Sequence, residues 1–187
     1  PCFTAGPFYF CRFTYLCRMD FKREKAVSFS GHRSYKMAGG TLFSQSSTRG
    51  IAERLKAEVS ELAAAGYTDF ICGMAEGFDL LAGDVVISLK GVFPEIRLHA
   101  YVPFRGQEQK FGAAAREQYE TVLAAADTVR YICPEFTQDC YHRRNDQMVA
   151  DSAVLVCCYN GSAGGTRYTV RRALSEGLRV INLAEGF

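Results

Sequence analysis

The stretch GSAGGTRYTVRRAL, residues 161–174, places Gly161, Gly164 and Gly165 between an apolar run and a helical pattern, then adds Thr166 and three arginines. A turn needs one glycine, so several suggest a close approach to the backbone. Without side chains at Gly164 and Gly165, a ligand can lie against the chain. Thr166 suits a helix cap or a hydrogen bond to a phosphate oxygen. The free N–H groups of the first helical turn, together with the helix dipole, favour an anion. These residues therefore suit phosphate binding, although a plain flexible turn would use the same ones.

Two other loops repeat the pattern. In CGMAEGFD, residues 72–79, Gly73 and Gly77 bracket a turn. Asp79 either caps the next helix or accepts a bond from a ribose hydroxyl. Glu76 between the glycines is the carboxylate that could act as a general base, or it is a solvated loop charge. In SGHRS, residues 30–34, Gly31 permits a tight exit from a strand, and Arg33 suits bidentate phosphate recognition. His32 is either a base or a hydrogen-bonded structural histidine. Arg144 and Asn145 form a further polar pair inside a helical pattern, where asparagine is unfavourable by propensity. Asn145 either ties loops together or faces the ligand. Arg143, Arg167, Arg171 and Arg172 make a basic sector only if the fold brings their helices together, and are otherwise solvated helix faces.

Alternating strands and helices must position these loops. KAVSFS ends at Gly31 as a first strand. Ile51, Leu55, Val59 and Leu62 then recur at helical spacing, with Gly66 as a stop. DFICGMA, IRLHAYVPF, DTVRYIC, AVLVCCYN and RVINL read as further strands. Helices over 78–90, 113–126, 138–152 and 166–177 separate them. The strands are continuous apolar runs, as expected when both sheet faces are buried. The expected fold is α/β: a Rossmann-like three-layer sandwich with a mostly parallel sheet. In such folds ligands bind at the carboxyl ends of strands, where all three loops fall.

The bulk figures agree with one sizeable domain. The chain has 187 residues, 48% hydrophobic and 22% charged, with a formal net charge of +2, too small to imply nucleic-acid binding by itself. No apolar run approaches the ~20 residues that span a bilayer. The eight cysteines include no CxxC pair, so a zinc ribbon is not expected, and Cys72, Cys157 and Cys158 read as buried hydrophobes of a reduced cytosolic protein. Cys140-x-His142 is a thin candidate for two metal ligands, and no metal site is expected. Residues 1–24 are aromatic-rich and lack a secretory h-region, and Met19 reads as a natural start. They are expected to be an extension outside a domain at 25–187, with an interfacial membrane anchor as the alternative.

The elements FSGHR, GMAEGFD, VPFRGQ, RRNDQMV and YNGSAGGTRYTVRRA, in that order, resemble the YpsA-like family of the SLOG superfamily, from about residue 25 to the C-terminus. That superfamily includes the LOG phosphoribohydrolases and the DNA-processing protein DprA. The resemblance implies a bacterial, Rossmann-like domain that binds a nucleotide or nucleotide derivative, with no certain cofactor. It also implies a homo-oligomer and a link to cell-division partners. Carried over by position, the ligand loops are Gly31, His32 and Arg33; Gly73, Glu76, Gly77 and Asp79; and Gly164, Gly165 and Thr166. The chain departs from the family pattern at Gln147, Ser152–Ala153 and Phe111. LOG enzymes also carry a glutamate directly after the Gly-Thr, where this chain has Arg167, Tyr168 and Thr169. The reading that results is a cytosolic nucleotide-binding sensor. A hydrolase of a nucleoside phosphate or ADP-ribose-like compound, with Glu76 or His32 as base, is the alternative, and a single-stranded nucleic-acid-binding module is the second alternative.

Overall fold

The computed structural model describes residues 13–14, 21–32 and 45–184. Arg33, Met19, the remainder of the N-terminal segment and its three cysteines lie outside the described residues. The element order is β1 (Phe13–Thr14), β2 (Ala26–Gly31), α1 (Gln45–Ala64), β3 (Asp69–Cys72), α2 (Phe78–Leu89), β4 (Arg97–Val102), α3 (Ala113–Ala125), β5 (Thr128–Tyr131), α4 (Cys140–Ala150), β6 (Val154–Cys158), α5 (Gly165–Ser175) and β7 (Arg179–Asn182). The strands form one sheet in the order β1-β5-β4-β3-β2-β6-β7. Every pairing is parallel, and β1 contributes only a two-residue edge beside β5.

Strand residues alternate between two cores, as period-two geometry requires. Val27, Phe29, Phe70, Cys72, Leu98, Ala100, Val154 and Val156 face the main core, with Ile51, Leu55 and Val59 of α1 and Leu80 and Val86 of α2. Leu155 and Cys157 face the other way, against Val149 of α4 and Val170 and Ala173 of α5. Ile71 and Tyr101 meet Met148 of α4 on that same side. The molecule is thus three layers, with α1–α3 on one face and α4–α5 on the other.

The chain from β2 to β5 builds the sheet outward in one direction, and the next strand, β6, returns to the opposite side of β2. The reversal of order lies between β2 and β6. Adjacent strand ends diverge there, and a crevice opens at their carboxyl ends.

Two networks brace the rest of the sheet. At its amino end Asp69 accepts hydrogen bonds from Thr68 (2.7 Å), pairs with Arg97 (2.8 Å) and meets His99 Nε2 (2.9 Å), whose Nδ1 reaches Thr128 (2.7 Å). The Phe21 ring lies tilted against His99, with 4.6 Å between centroids, and Arg23 donates to the Ser152 carbonyl. At the end of α4, Asp151 accepts bonds from Tyr101 (2.7 Å), Gln147 (2.9 Å) and Arg130 (3.1 Å). Gln147 and Asp151, two of the positions at or beside departures from the family pattern, thus tie α4 to β4 and β5. No helix among the described residues is long and apolar enough to cross a membrane.

Candidate ligand site at the strand-order switch

The end of β2 is the seam from which the site is built. The Gly31 carbonyl accepts a bond from Thr166 Oγ1 (2.9 Å), and the His32 carbonyl accepts one from the Phe78 N–H (3.1 Å). Two successive peptide groups therefore anchor the amino ends of α5 and α2 to one strand. Between them lies a cavity of about 300 Å³ lined by the β2 end, Ala75 and Asp79, one face of α4 and residues 162–166. That volume is at the lower end of small-molecule sites.

The glycines fall into two classes. A Cβ on Gly31 would lie 2.4 Å from the Phe78 ring, and one on Gly73 would overlap the Arg144 guanidinium and the Asp79 carboxylate. Both are glycine because protein packs against them. At Gly164 and Gly165 an added Cβ meets no described atom within 4 Å. Gly164 has φ +145°, a backbone reason to be glycine, whereas Gly165 has no positive φ. Neither packing by described residues nor backbone strain explains Gly165. Gly164 is the N-cap of α5 and supplies no side-chain cap, so among the described residues the first-turn amides beside the cavity have no capping side-chain oxygen.

Asp79 belongs to a buried pair. Its Oδ2 lies 3.2 Å from Arg144 Nη1, with the two side chains 7% and 6% exposed. The same Nη1 donates to the Gly73 carbonyl, and the Ala75 N–H reaches Asp79 Oδ2 (3.4 Å). The tight turn is made at Met74, in the left-handed region at φ 60°, with Gln107 donating to its carbonyl. Gly77 is the N-cap of α2. Glu76 and Gly77 line a separate shallow depression with Gly112–Ala115, and Gly73 lines neither.

Several polar groups around the cavity have no partner among the described residues. Arg144 Nε and Ser162 Oγ are buried without a hydrogen bond. Asn145 is only 9% exposed, lines the cavity, and its side-chain amide makes no hydrogen bond to a described residue. Buried polar groups are usually satisfied, so such a cluster calls for an explanation. His32, by contrast, uses Nε2 to accept the Asn160 N–H (3.3 Å).

Sequence reasoning missed Tyr141 and Ser162. Tyr141 stands three and four residues before Arg144 and Asn145, so helical periodicity alone assigns it to their face. Ser162 had no signal beyond lying within the glycine loop.

The neighbouring thiols are packed groups. Burial raises the Cys72 thiol, which donates to the Asp79 carbonyl (3.1 Å), and burial pushes Cys157 up to about 12. Cys140, first residue of α4, is also raised by burial, but hydrogen bonds from Cys133 and Thr137 outweigh this and hold it below the usual thiol range. His142 packs on Tyr168 at 4.6 Å, and among the described residues no cluster of three His, Cys, Asp or Glu side chains is arranged to hold a metal.

Comparison with known proteins places the chain. A family model described as the YspA SLOG family matches residues 27–179. The UPF0398 protein of Halalkalibacterium halodurans is 29% identical over 147 residues, covering 76% of each chain. A UPF0398 protein of Bacillus licheniformis is 39% identical over 67 residues, 36% of this chain and 32% of the relative. Among solved structures, DNA processing protein A from Helicobacter pylori, reported for its single-stranded DNA binding mode, superposes with a TM-score of 0.57 at 14% identity. That match covers 86% of this chain but only 65% of the other, and it shows a shared fold. With the family match spanning nearly all of the described sheet, the chain belongs to the YpsA family of SLOG proteins.

Proposed function

We propose that this protein binds a nucleotide or nucleotide-derived ligand in the switch-point cavity, with a phosphate on the first turn of α5. The observation that carries the reading is the convergence on one cavity of three polar groups without described partners, Arg144 Nε, Ser162 Oγ and the Asn145 amide, beside an uncapped helix start. An anion at the α5 start and a hydroxyl-bearing sugar near Asn145 would give those groups partners. Gly165 supports the same reading, since neither a described neighbour nor a positive φ gives a reason for the missing side chain, and an incoming group would.

A binding role fits the lining better than hydrolysis. Asp79 is the only carboxylate among the described cavity-lining residues, and it is held by Arg144. His32 has its Nε2 lone pair engaged, and Glu76 lies on the neighbouring depression. A general base needs a free lone pair within reach of the proton it takes.

The test is thermal unfolding against mononucleotides, NAD, ADP-ribose and cyclic dinucleotides, on the native protein and on Gly165→Asp. A ligand at ~100 times its dissociation constant adds about 2.7 kcal/mol of stability. The expected result is a shift in the native protein that is absent in the variant. Equal shifts in both would take the phosphate off α5.

A further inference from the structure

The face of α5 that leads away from the cavity touches α4 through Tyr168 and Arg172, and its other arginines are not used by the site just described. Gly164 lines both the cavity and a shallow groove continued by Arg167, Tyr168, Arg171, Arg172 and Ser175. These positions follow one another at three- and four-residue spacing, so they form a single stripe down the exposed side of the helix. From Gly164 to Arg171 the stripe runs about 10 Å along the axis.

Its charges are not equivalent. Arg172 is taken up by Glu176 (2.8 Å) and Asp146 (3.7 Å), and Asp146 also accepts the Tyr168 hydroxyl (2.7 Å). Arg167 and Arg171 are exposed and have no ion pair or side-chain hydrogen bond among the described residues. Tyr168 is 37% exposed and packs on the exposed His142 of α4. The groove thus offers two uncommitted guanidinium groups and an aromatic pair, in line with a cavity suited to a phosphate.

We infer that this stripe is the continuation of the ligand site and takes the next phosphates of a short single-stranded oligonucleotide whose end occupies the cavity. The inference rests on the nucleotide reading of the cavity. A mononucleotide has its phosphates in one place and cannot reach both the α5 start and Arg171. A single strand repeats a phosphate and a stackable base at each step, which matches alternating guanidinium and aromatic groups. Gly164 lies on both the cavity and the groove, and no described atom comes within 4 Å of a Cβ placed there.

The experiment measures binding of a fluorescent ten-residue oligothymidylate, with the mononucleotide thermal shift run alongside, on the native protein and on Arg167→Glu/Arg171→Glu. Both positions are exposed and without partners among the described residues, so the variant is expected to fold, and its thermal unfolding checks that it does. The expected result is oligonucleotide binding weakened at least about tenfold, with the slope of log K against log salt reduced by about 1.4, or about 0.7 per phosphate contact. The mononucleotide shift should stay unchanged. Equal oligonucleotide binding by both proteins would overturn the inference and leave the cavity reading intact, as would equal affinity for oligothymidylate and a polyglutamate of matched charge. A protein that binds neither mononucleotide nor oligonucleotide would remove both readings.

Discussion

At the residue scale, Gly165 and Gly31 make an instructive pair, because both are glycines at the cavity and each has a different reason to be one. Alanine at Gly31 must displace the Phe78 ring from a contact at 2.4 Å. Overpacking of this kind costs about 1–3 kcal/mol, and urea unfolding of Gly31→Ala should show it as a lower midpoint at unchanged slope. Gly165→Asp should behave in the opposite way. The position is open among the described residues, and a carboxylate in the first helical turn is favourable. Without ligand its unfolding midpoint should match or slightly exceed that of the native protein. A large drop would mean that the glycine serves the fold. The same scale shows where sequence reading stops. The glycines at 31, 73, 77, 164 and 165 are visible in the sequence, but whether a neighbour or a vacancy explains each is set by residues far along the chain.

At the element scale, α4 joins the site to the body of the sheet. Its Met148 and Val149 pack on the sheet, Asp151 binds β4 and β5, and Arg144 reaches the β3–α2 loop. Replacing Arg144 by Met leaves the Asp79 carboxylate buried without its cation. Such losses cost about 3–5 kcal/mol, whereas removing both charges together is often close to neutral. The double variant Asp79→Asn/Arg144→Met should therefore be more stable than Arg144→Met alone in chemical denaturation. A double variant at least as unstable as the single would show that the guanidinium matters through the Gly73 carbonyl instead. The elements themselves were legible in the sequence. Buried parallel strands are unbroken apolar runs, and the helices between them keep a clear spacing of apolar residues. The strand starts at β2, β3 and β6 fall within one residue of the expected ones and the helix starts at 78 and 113 match them, whereas β3 ends at Cys72, three residues before the apolar run does, because the chain turns at Met74. The Asp79–Arg144 pair was not legible, because its members stand 65 residues apart. Both a helix-capping role and a sugar-binding role suited Asp79 locally, and only the packing of α4 brings the arginine to it. The left-handed Met74 was hidden for a related reason: Gly73 and Gly77 were the obvious turn residues, but Gly73 is needed to admit a guanidinium.

At the scale of the whole molecule, the candidate site and the bracing network occupy opposite ends of the sheet. The carboxyl ends of β2 and β6 open into the cavity, while Asp69, Arg97, His99 and Thr128 lock the amino ends of β3, β4 and β5. Burial alone would raise Asp69, but the hydrogen bonds from His99 and Thr68 and the charges of His99 and Arg97 outweigh it and hold the carboxyl below its usual range. A carboxylate lowered on folding stabilises the folded state above its unfolded pKa, near 3.9, and that contribution is lost as pH falls through the folded value. The stability difference between the native protein and Asp69→Asn should therefore be level near neutrality and shrink below about pH 4. A difference that grew on acidification would contradict the network as described.

The contact between Gly73, Asp79 and Arg144 also bears on descent. A lineage that gives up the arginine frees position 73 to carry a side chain and makes a charged 79 a burden. A lineage that acquires a side chain at 73 must first lose the arginine. The three positions should therefore covary among related chains, with a side chain at 73 found only where the arginine at 144 is gone, while the exposed arginines at 167 and 171 drift independently of them.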